Sequence, residues 1–352
     1  MSRLYNGEKE KGRSTMSNKS IVFTAPCVSE ILEIETPELK EDEVLIKLVR
    51  SAISAGTERA NITGDPNTSI YTKELSYSFP RHGGYSSAGI VEAVGNKVSS
   101  VKPGDRVAMS WTMHDERYVK AERFVYKLPD NVSFGAGALV HIATFPAAAI
   151  RKCRLEFGES ALVMGFGVLG IIALKLLRVA GASPIIVADP VKEKRELAMK
   201  LGADYALNPL DEGFAQKVKE ITGGGASVAI EVTGIGAGLD GALDCMKKFG
   251  RVALLGCTRN SDFSIDYYRK VHGPGITLIG AHTLARPEKE SYGGWWSERD
   301  EALAIINLIS TGRLNFDELI EEVNSPLEHK EIYKRLISEK SFPIIEFDWS
   351  DT

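Results

Sequence analysis

The 352-residue chain reads as an α/β protein of two domains, a β-rich one followed by an open, doubly wound parallel sheet. Three observations predict this. The length exceeds what one ordinary core accommodates. From Ile21 to about residue 130 the chain runs in short β-rich stretches separated by turn residues. Beyond that point strand and helix patterns alternate, which implies parallel strands whose crossover helices cover both faces.

Taken in order, residues 1–19, MSRLYNGEKEKGRSTMSNK, are polar, charged and without periodicity, as expected of a disordered or tag-like segment, with Met16 a candidate start of the folded protein. IVFT, EVLIKLVRSAIS, AGIVEAVG, DRVAMSW and RFVYKLP supply the strands of the first domain. ALVMGFGVLGIIALKLLRVAGA reads as a buried strand, a glycine turn and a long apolar helix, and PIIVAD as the next strand. KEKRELAMKLGA, DEGFAQKVKEITGGG and GLDGALDCMKKFG carry helical patterns, whereas ASVAIEVTG, RVALLGC and ITLIGAHT are strand-like. The tail, with helix ERDEALAIINLISTGRL and strands near ELIEEV and PIIEFDW, leaves this rhythm and is expected to return to the first domain. The predicted division is therefore 20–143 with 286–352 for the β-rich domain and 144–285 for the parallel sheet.

Bulk composition narrows the function. Hydrophobic residues at 43% and charged residues at 26% are ordinary for a globular protein. The net charge of −4, with both signs scattered, offers no basic stripe for phosphates, so small molecules rather than nucleic acids are the expected partners. Cys27, Cys153, Cys245 and Cys257 never form a CxxC pair, which argues against a disulfide scaffold or a zinc knuckle and suggests buried reduced thiols. No apolar run reaches the roughly 20 residues that span a bilayer, and no secretory signal opens the chain, so no membrane partner is expected and cytoplasm is the default compartment.

The strongest motif is Gly165-Phe166-Gly167-Val168-Leu169-Gly170, between the strand ALVM and an apolar helix. Gly165 permits a tight turn, Gly167 leaves room for a diphosphate, and Gly170 lets helix and strand pack closely. The helix start at Val168 and Leu169 then presents unpaired donors and partial positive charge to the phosphates. Asp189, at the tip of the next strand, suits the ribose hydroxyls and would repel a 2′-phosphate, so NAD is favoured over NADP. Its alternative reading is a solvated loop acid. Lys192, Lys194 and Arg195 could flank the adenosine or rescue NADP binding, or form a solvated helix face.

This order of parts resembles the medium-chain dehydrogenase/reductase superfamily, a GroES-like β domain with a Rossmann domain inserted before a C-terminal return. GYSSAGIVEAVG, VKPGDRVA, KLPDNVS, the glycine turn and LGADYALNP carry the resemblance, which covers nearly the whole chain from Ile21. SAISAGTER is similar to the first module of bacterial two-part oxidoreductases of sugar metabolism and, in outline, to bacteriochlorophyllide dehydrogenases. The resemblance implies homodimers or homotetramers joined through the Rossmann sheet. Zinc-dependent members hold the catalytic metal with a cysteine in an ICGTD-like stretch, a histidine in a GHE stretch and a third ligand before the Rossmann domain. Here these places read Ile53-Ser54-Ala55-Gly56-Thr57-Glu58, Gly84-Tyr85-Ser86 and His141. Serine and neutral tyrosine are poor zinc donors, and no cysteine lies between Cys27 and Cys153 for a structural zinc lobe, so neither a catalytic nor a structural zinc is expected. Glu58 with His141 and His82 is the one alternative donor set.

Without zinc, a side chain must accept the proton of the oxidised alcohol. Tyr85 is the first candidate, with its pKa lowered from about 10 by a cationic nicotinamide or a nearby arginine; the alternative is a packed aromatic. His141, in ALVHIATF, is the second, against a core histidine with one hydrogen bond. By the resemblance, Thr57 matches a proton-relaying hydroxyl and Thr144 a nicotinamide contact. Glu58 either orients Thr57 or binds substrate, Arg59 forms a surface pair, His282 follows a strand end where ligand contacts lie, and Trp296 with Trp295 walls the pocket or packs elsewhere. His114, in the charged run MHDERY, is expected at the surface. The function that follows is NAD-dependent, zinc-independent oxidation of a secondary alcohol on a sugar, polyol or cyclitol. The alternatives are a metal-free quinone or enoyl reductase, or a non-catalytic dinucleotide-binding protein.

Overall fold

The computed structural model describes residues 17–66, 77–258 and 263–352. Residues 1–16, with Met16, lie outside the described residues, and Ser17–Lys19, expected to belong to an unstructured leader, instead open a strand. Strands β1 (Ser17–Ala25) and β2 (Val28–Glu35) pair antiparallel with Ser17 opposite Glu35. β3 (Glu43–Ala52) leads into helix α1 (Ala55–Thr63), and β4 (Arg81–His82), β5 (Ser86–Val94), β6 (Arg106–Ser110), β7 (Arg117–Ala121) and β8 (Val125–Lys127) complete the strands before residue 130. Val44, Ile46 and Leu48 on one face of β3 pack with Val91 and Val107, the alternation a half-buried strand requires.

Helix α2 (Phe134–Lys152) joins the two domains. Ser133 caps it by accepting from Ala136 N, and nearly every side chain along it is buried. It is long and apolar enough to cross a membrane by composition, yet it is the core helix, packed against β5 and β6 on one side and the second domain on the other. A domain boundary at residue 144 therefore falls within one continuous helix.

The second domain runs β9 (Ala161–Met164), α3 (Val168–Val179), β10 (Ile185–Ala188), α4 (Lys192–Lys200), β11 (Tyr205–Leu207), α5 (Phe214–Thr222), β12 (Ala226–Glu231), α6 (Gly236–Asp244), β13 (Met246–Leu254) and β14 (Thr277–Gly280). Its six strands are all parallel in the order β11-β10-β9-β12-β13-β14, with the order reversing between β9 and β12. The segment Met246–Gly250, expected to continue a helix, begins β13 instead, because Met246 pairs with Ala226 and buries its side chain on the sheet, and tertiary pairing overrides local pattern. Cys153 and Cys245 are buried as expected, but Cys27 and Cys257 are exposed, since each sits just beyond a strand end in a connection.

The tail returns to the first domain. α7 (Glu298–Ser310) lies on α2, α8 (His329–Ser338) packs on α1 and β2, and β15 (Glu322–Asn324) and β16 (Ile345–Asp348) extend the first sheet. β16 runs antiparallel to β3 with Phe347 opposite Ser51, giving the sheet order β15-β16-β3-β5-β6-β8, with β7 also on β3.

Candidate active site

The glycine turn lies after β9, at the point where the strand order reverses and open α/β sheets form a ligand crevice. Gly165 has φ +97°, and a Cβ there would meet Thr233 Cγ2 at 2.9 Å. A Cβ on Gly170 would strike Gly165 O at 2.2 Å, so the helix approaches the turn as closely as a glycine allows. Gly167 caps α3 without any side-chain bond and has nothing within 4 Å of its Cβ position. This open cradle at a helix start, with the N–H groups of Val168 and Leu169 in its first turn, fits a diphosphate. Asp189 is buried at the end of β10, where Oδ2 accepts from Phe166 N at 2.8 Å and Oδ1 from Val191 N at 2.9 Å. It is not a solvated loop acid, and each oxygen keeps a lone pair for a ribose hydroxyl. Lys194 Nζ stands 3.9 Å from it and Arg195 donates to Asp189 O and Pro190 O, so of the three basic residues Lys192 alone faces solvent. The sequence reading missed Glu231, at the tip of β12, which accepts from Thr233 N at 2.7 Å and shapes the opposite lip; burial raises its pKa.

The three places where zinc-dependent relatives hold metal converge in space. Ser54, at the N-terminus of α1, shares a short hydrogen bond with the Tyr85 hydroxyl from the turn before β5, and the Thr57 hydroxyl lies against the same phenol. His141, on α2, places its ring 5.6 Å from that of Tyr85, edge to face. Two alcohols and one imidazole are not a tetrahedral zinc donor set, and among the described residues no three His, Cys, Asp or Glu side chains cluster as metal ligands. The expected downward shift of Tyr85 is corrected for the protein by itself: burial pushes the phenol up to about 12, outweighing the hydrogen bonds from Ser54 and Thr57.

His141 is fully enclosed, with Trp111 and Phe145 completing an aromatic cage at 4.5 and 4.9 Å. Its Nδ1 stands 3.1 Å from Glu298 Oε1, at the start of α7, though not in hydrogen-bond alignment. Burial holds the imidazole below its ordinary value despite this carboxylate. Burial opposes ionisation of Glu298, but His141 and Arg286 outweigh it and bring the carboxyl down to about 2. Trp111 Nε1 donates to Glu298 Oε2 at 2.9 Å, and Arg286 Nη1 donates to Thr144 Oγ1 at 3.2 Å. Trp111, Phe145, Arg286 and Glu298 are the residues that the sequence reading passed over.

Of the other expected site residues, Glu58 and Trp296 fall elsewhere, whereas His282 lies beside Thr283, whose carbonyl oxygen accepts from Arg286 Nε at 2.6 Å. Glu58 is wholly buried, accepting from Tyr333 at 2.7 Å and from Ser54 N at 2.8 Å and standing 3.1 Å from His114 Nε2, so it cannot bind substrate and instead holds the backbone of Ser54. His114, expected at the surface, is its buried partner and bonds Ser51 Oγ at 2.7 Å, because β6 and β7 fold its charged neighbours into the first domain. Arg59 donates to Leu336 O and Glu339 O, joining α1 to α8 in place of a surface ion pair. Trp296 lies over the Arg151 guanidinium, 3.4 Å from the ring centre, beside a surface pocket lined by Ser291, Tyr292 and Leu303, away from the Tyr85 cluster. Trp295 likewise lies by Lys152. His282 is exposed beyond β14, its Nδ1 accepting from Leu284 N at 3.2 Å.

Comparison with known proteins matches residues 40–155 to the alcohol dehydrogenase GroES-like domain and residues 168–295 to the zinc-binding dehydrogenase family. The chain is 27% identical to the L-threonine 3-dehydrogenase of Pyrococcus abyssi over 337 residues, covering 87% of this chain and 91% of that protein. It is 25% identical to the D-guloside 3-dehydrogenase of Escherichia coli, covering 91% and 96%. Among solved structures, galactitol-1-phosphate dehydrogenase from Escherichia coli superposes with a TM-score of 0.80 at 19% identity, covering 94% of this chain and 99% of that one.

Proposed function

Because the chain belongs to the medium-chain dehydrogenase/reductase superfamily, we propose that it is an NAD-dependent, zinc-independent oxidoreductase that reversibly oxidises a secondary hydroxyl of a sugar, polyol or cyclitol-like substrate. The observation that carries this reading is the meeting of Ser54, Tyr85 and His141, from three separate elements, with oxygen and nitrogen atoms suited to moving a proton rather than holding a metal. Relatives named for oxidation at a secondary carbon of threonine and of a guloside support the alcohol class.

Each residue then has a task. A bound nicotinamide dinucleotide supplies the hydride acceptor. Gly165, Gly167 and Gly170 seat its diphosphate against Val168 and Leu169, and Asp189 takes the ribose hydroxyls, which favours NAD over NADP. Tyr85 takes the substrate's hydroxyl proton at its phenolic oxygen as its own proton leaves through Ser54 and the half-buried Thr57 to solvent, those two hydroxyls also holding the phenol in place; a cationic nicotinamide ring beside it would favour that loss. The same reading includes a homo-oligomer, supported by the outer strand β14, whose Leu278 is exposed at the sheet edge.

The test is anaerobic incubation with NAD and a panel of sugars and polyols, followed by NADH absorbance, with metal analysis of the same sample. Turnover with less than one equivalent of zinc is expected. A stoichiometric zinc whose removal by chelator abolishes turnover would overturn the zinc-independent scheme, and dinucleotide binding without turnover on any alcohol would reduce the protein to a binding role.

A further inference from the structure

The long connection from β14 to α7 carries Arg286 and Glu298 to the aromatic cage, where their polar atoms are left incomplete. Glu298 Oε1, Arg286 Nη2 and both nitrogens of His141 have no hydrogen-bond partner. Arg286 Nη2 stands 3.8 Å from Glu298 Oε2, too far for a direct bond. Buried polar groups are nearly always paired, so open donors and acceptors gathered at one place mark a position for ligand atoms. The side chains of Glu298 and Arg286 retain 14% and 7% exposure, whereas that of His141 retains none, and the unpartnered Glu298 Oε1 and Arg286 Nη2 are themselves buried just beneath that edge, in front of the imidazole. Trp111 and Phe145 add apolar walls to these few polar groups, the usual make-up of a small-molecule pocket.

Resting on the oxidoreductase reading, we propose that Arg286 and Glu298 are specificity-determining residues that recognise hydroxyl groups next to the reacting one, Arg286 donating through Nη2 to one oxygen and Glu298 accepting from a neighbouring O–H. The opposite charges of the pair offset each other, which suits a neutral vicinal polyol and disfavours a phosphorylated or carboxylated substrate. His141 backs the pair from the buried side: its Nδ1 stands 3.1 Å from Glu298 Oε1 but out of hydrogen-bond alignment, so Oε1 keeps its acceptor capacity for the ligand. Thr144, bonded to Arg286 Nη1, fixes the other end of the pair.

The experiment is calorimetric binding of myo-inositol, inositol monophosphate and cyclohexanol to the full chain saturated with NADH, comparing the wild type with Glu298→Gln and Arg286→Gln. The wild type is expected to bind myo-inositol more tightly than either other probe. Loss of one charge-assisted bond lowers the ratio of inositol to cyclohexanol affinity about ten- to a hundredfold in each variant. Arg286→Gln leaves the His141–Glu298 contact in place, so the same loss there cannot come from a collapsed cage. An unchanged affinity ratio in both variants would overturn the proposal, as would tighter binding of the phosphate than of inositol. NADH uptake with no binding of any alcohol overturns the pocket assignment alone, and absence of NADH uptake overturns the parent reading with it.

Discussion

Tyr85 faces its task with a phenol that burial holds at about 12, above the ordinary value near 10. The folded protein therefore carries a neutral phenol at neutral pH, and since the unfolded chain would ionise first, stability contributed by this site is complete below about pH 10 and falls as pH rises toward 12. Ultraviolet difference titration of wild type against Tyr85→Phe should show one phenol ionising near 12, and oxidised dinucleotide, whose nicotinamide ring is cationic, should draw that midpoint down where reduced dinucleotide does not. The variant should lose about a hundredfold or more in turnover while still binding dinucleotide. Tyr85, Thr57 and His141 could be singled out as candidates because each sits within a short local motif. Glu298 was not, since nothing near it in sequence announces that Trp111, 187 positions away, donates to it. His114 misled for the same reason: its charged neighbours predict exposure, and only the fold reveals the buried Glu58 beside it.

At the scale of elements, the approach of α3 to β9 depends on Gly170. Adding one methyl there sets it 2.2 Å from Gly165 O, a backbone atom that cannot turn aside. Gly170→Ala is expected to push the helix start away from the turn, costing about 1–3 kcal/mol in urea unfolding and weakening dinucleotide affinity measured by calorimetry. Unchanged affinity would place the diphosphate elsewhere. The alternating strands and helices of the second domain were readable because periodicity is local. Helix α1 was not, because it has almost no apolar stripe and is held by Glu58 and Arg59, whose partners Tyr333 and Leu336 lie on α8. The return of β15 and β16 to the first sheet was anticipated from the broken rhythm alone.

For the whole molecule, the exposed edge of β14 leads to the expectation that light scattering will give a mass of two or four chains, and that a charged residue at Leu278 will shift it to one. A monomeric wild type at micromolar concentration would remove the sheet edge as an interface. The pairing of β16 with β3 has a further consequence during synthesis. The ribosome releases this seam of the first domain only after the whole inserted domain has been made, so Ile46, Leu48 and their neighbours must wait for Ile345 and Phe347 before their layer closes. A truncation before Ile345 would thus harm the half of the protein that was translated first.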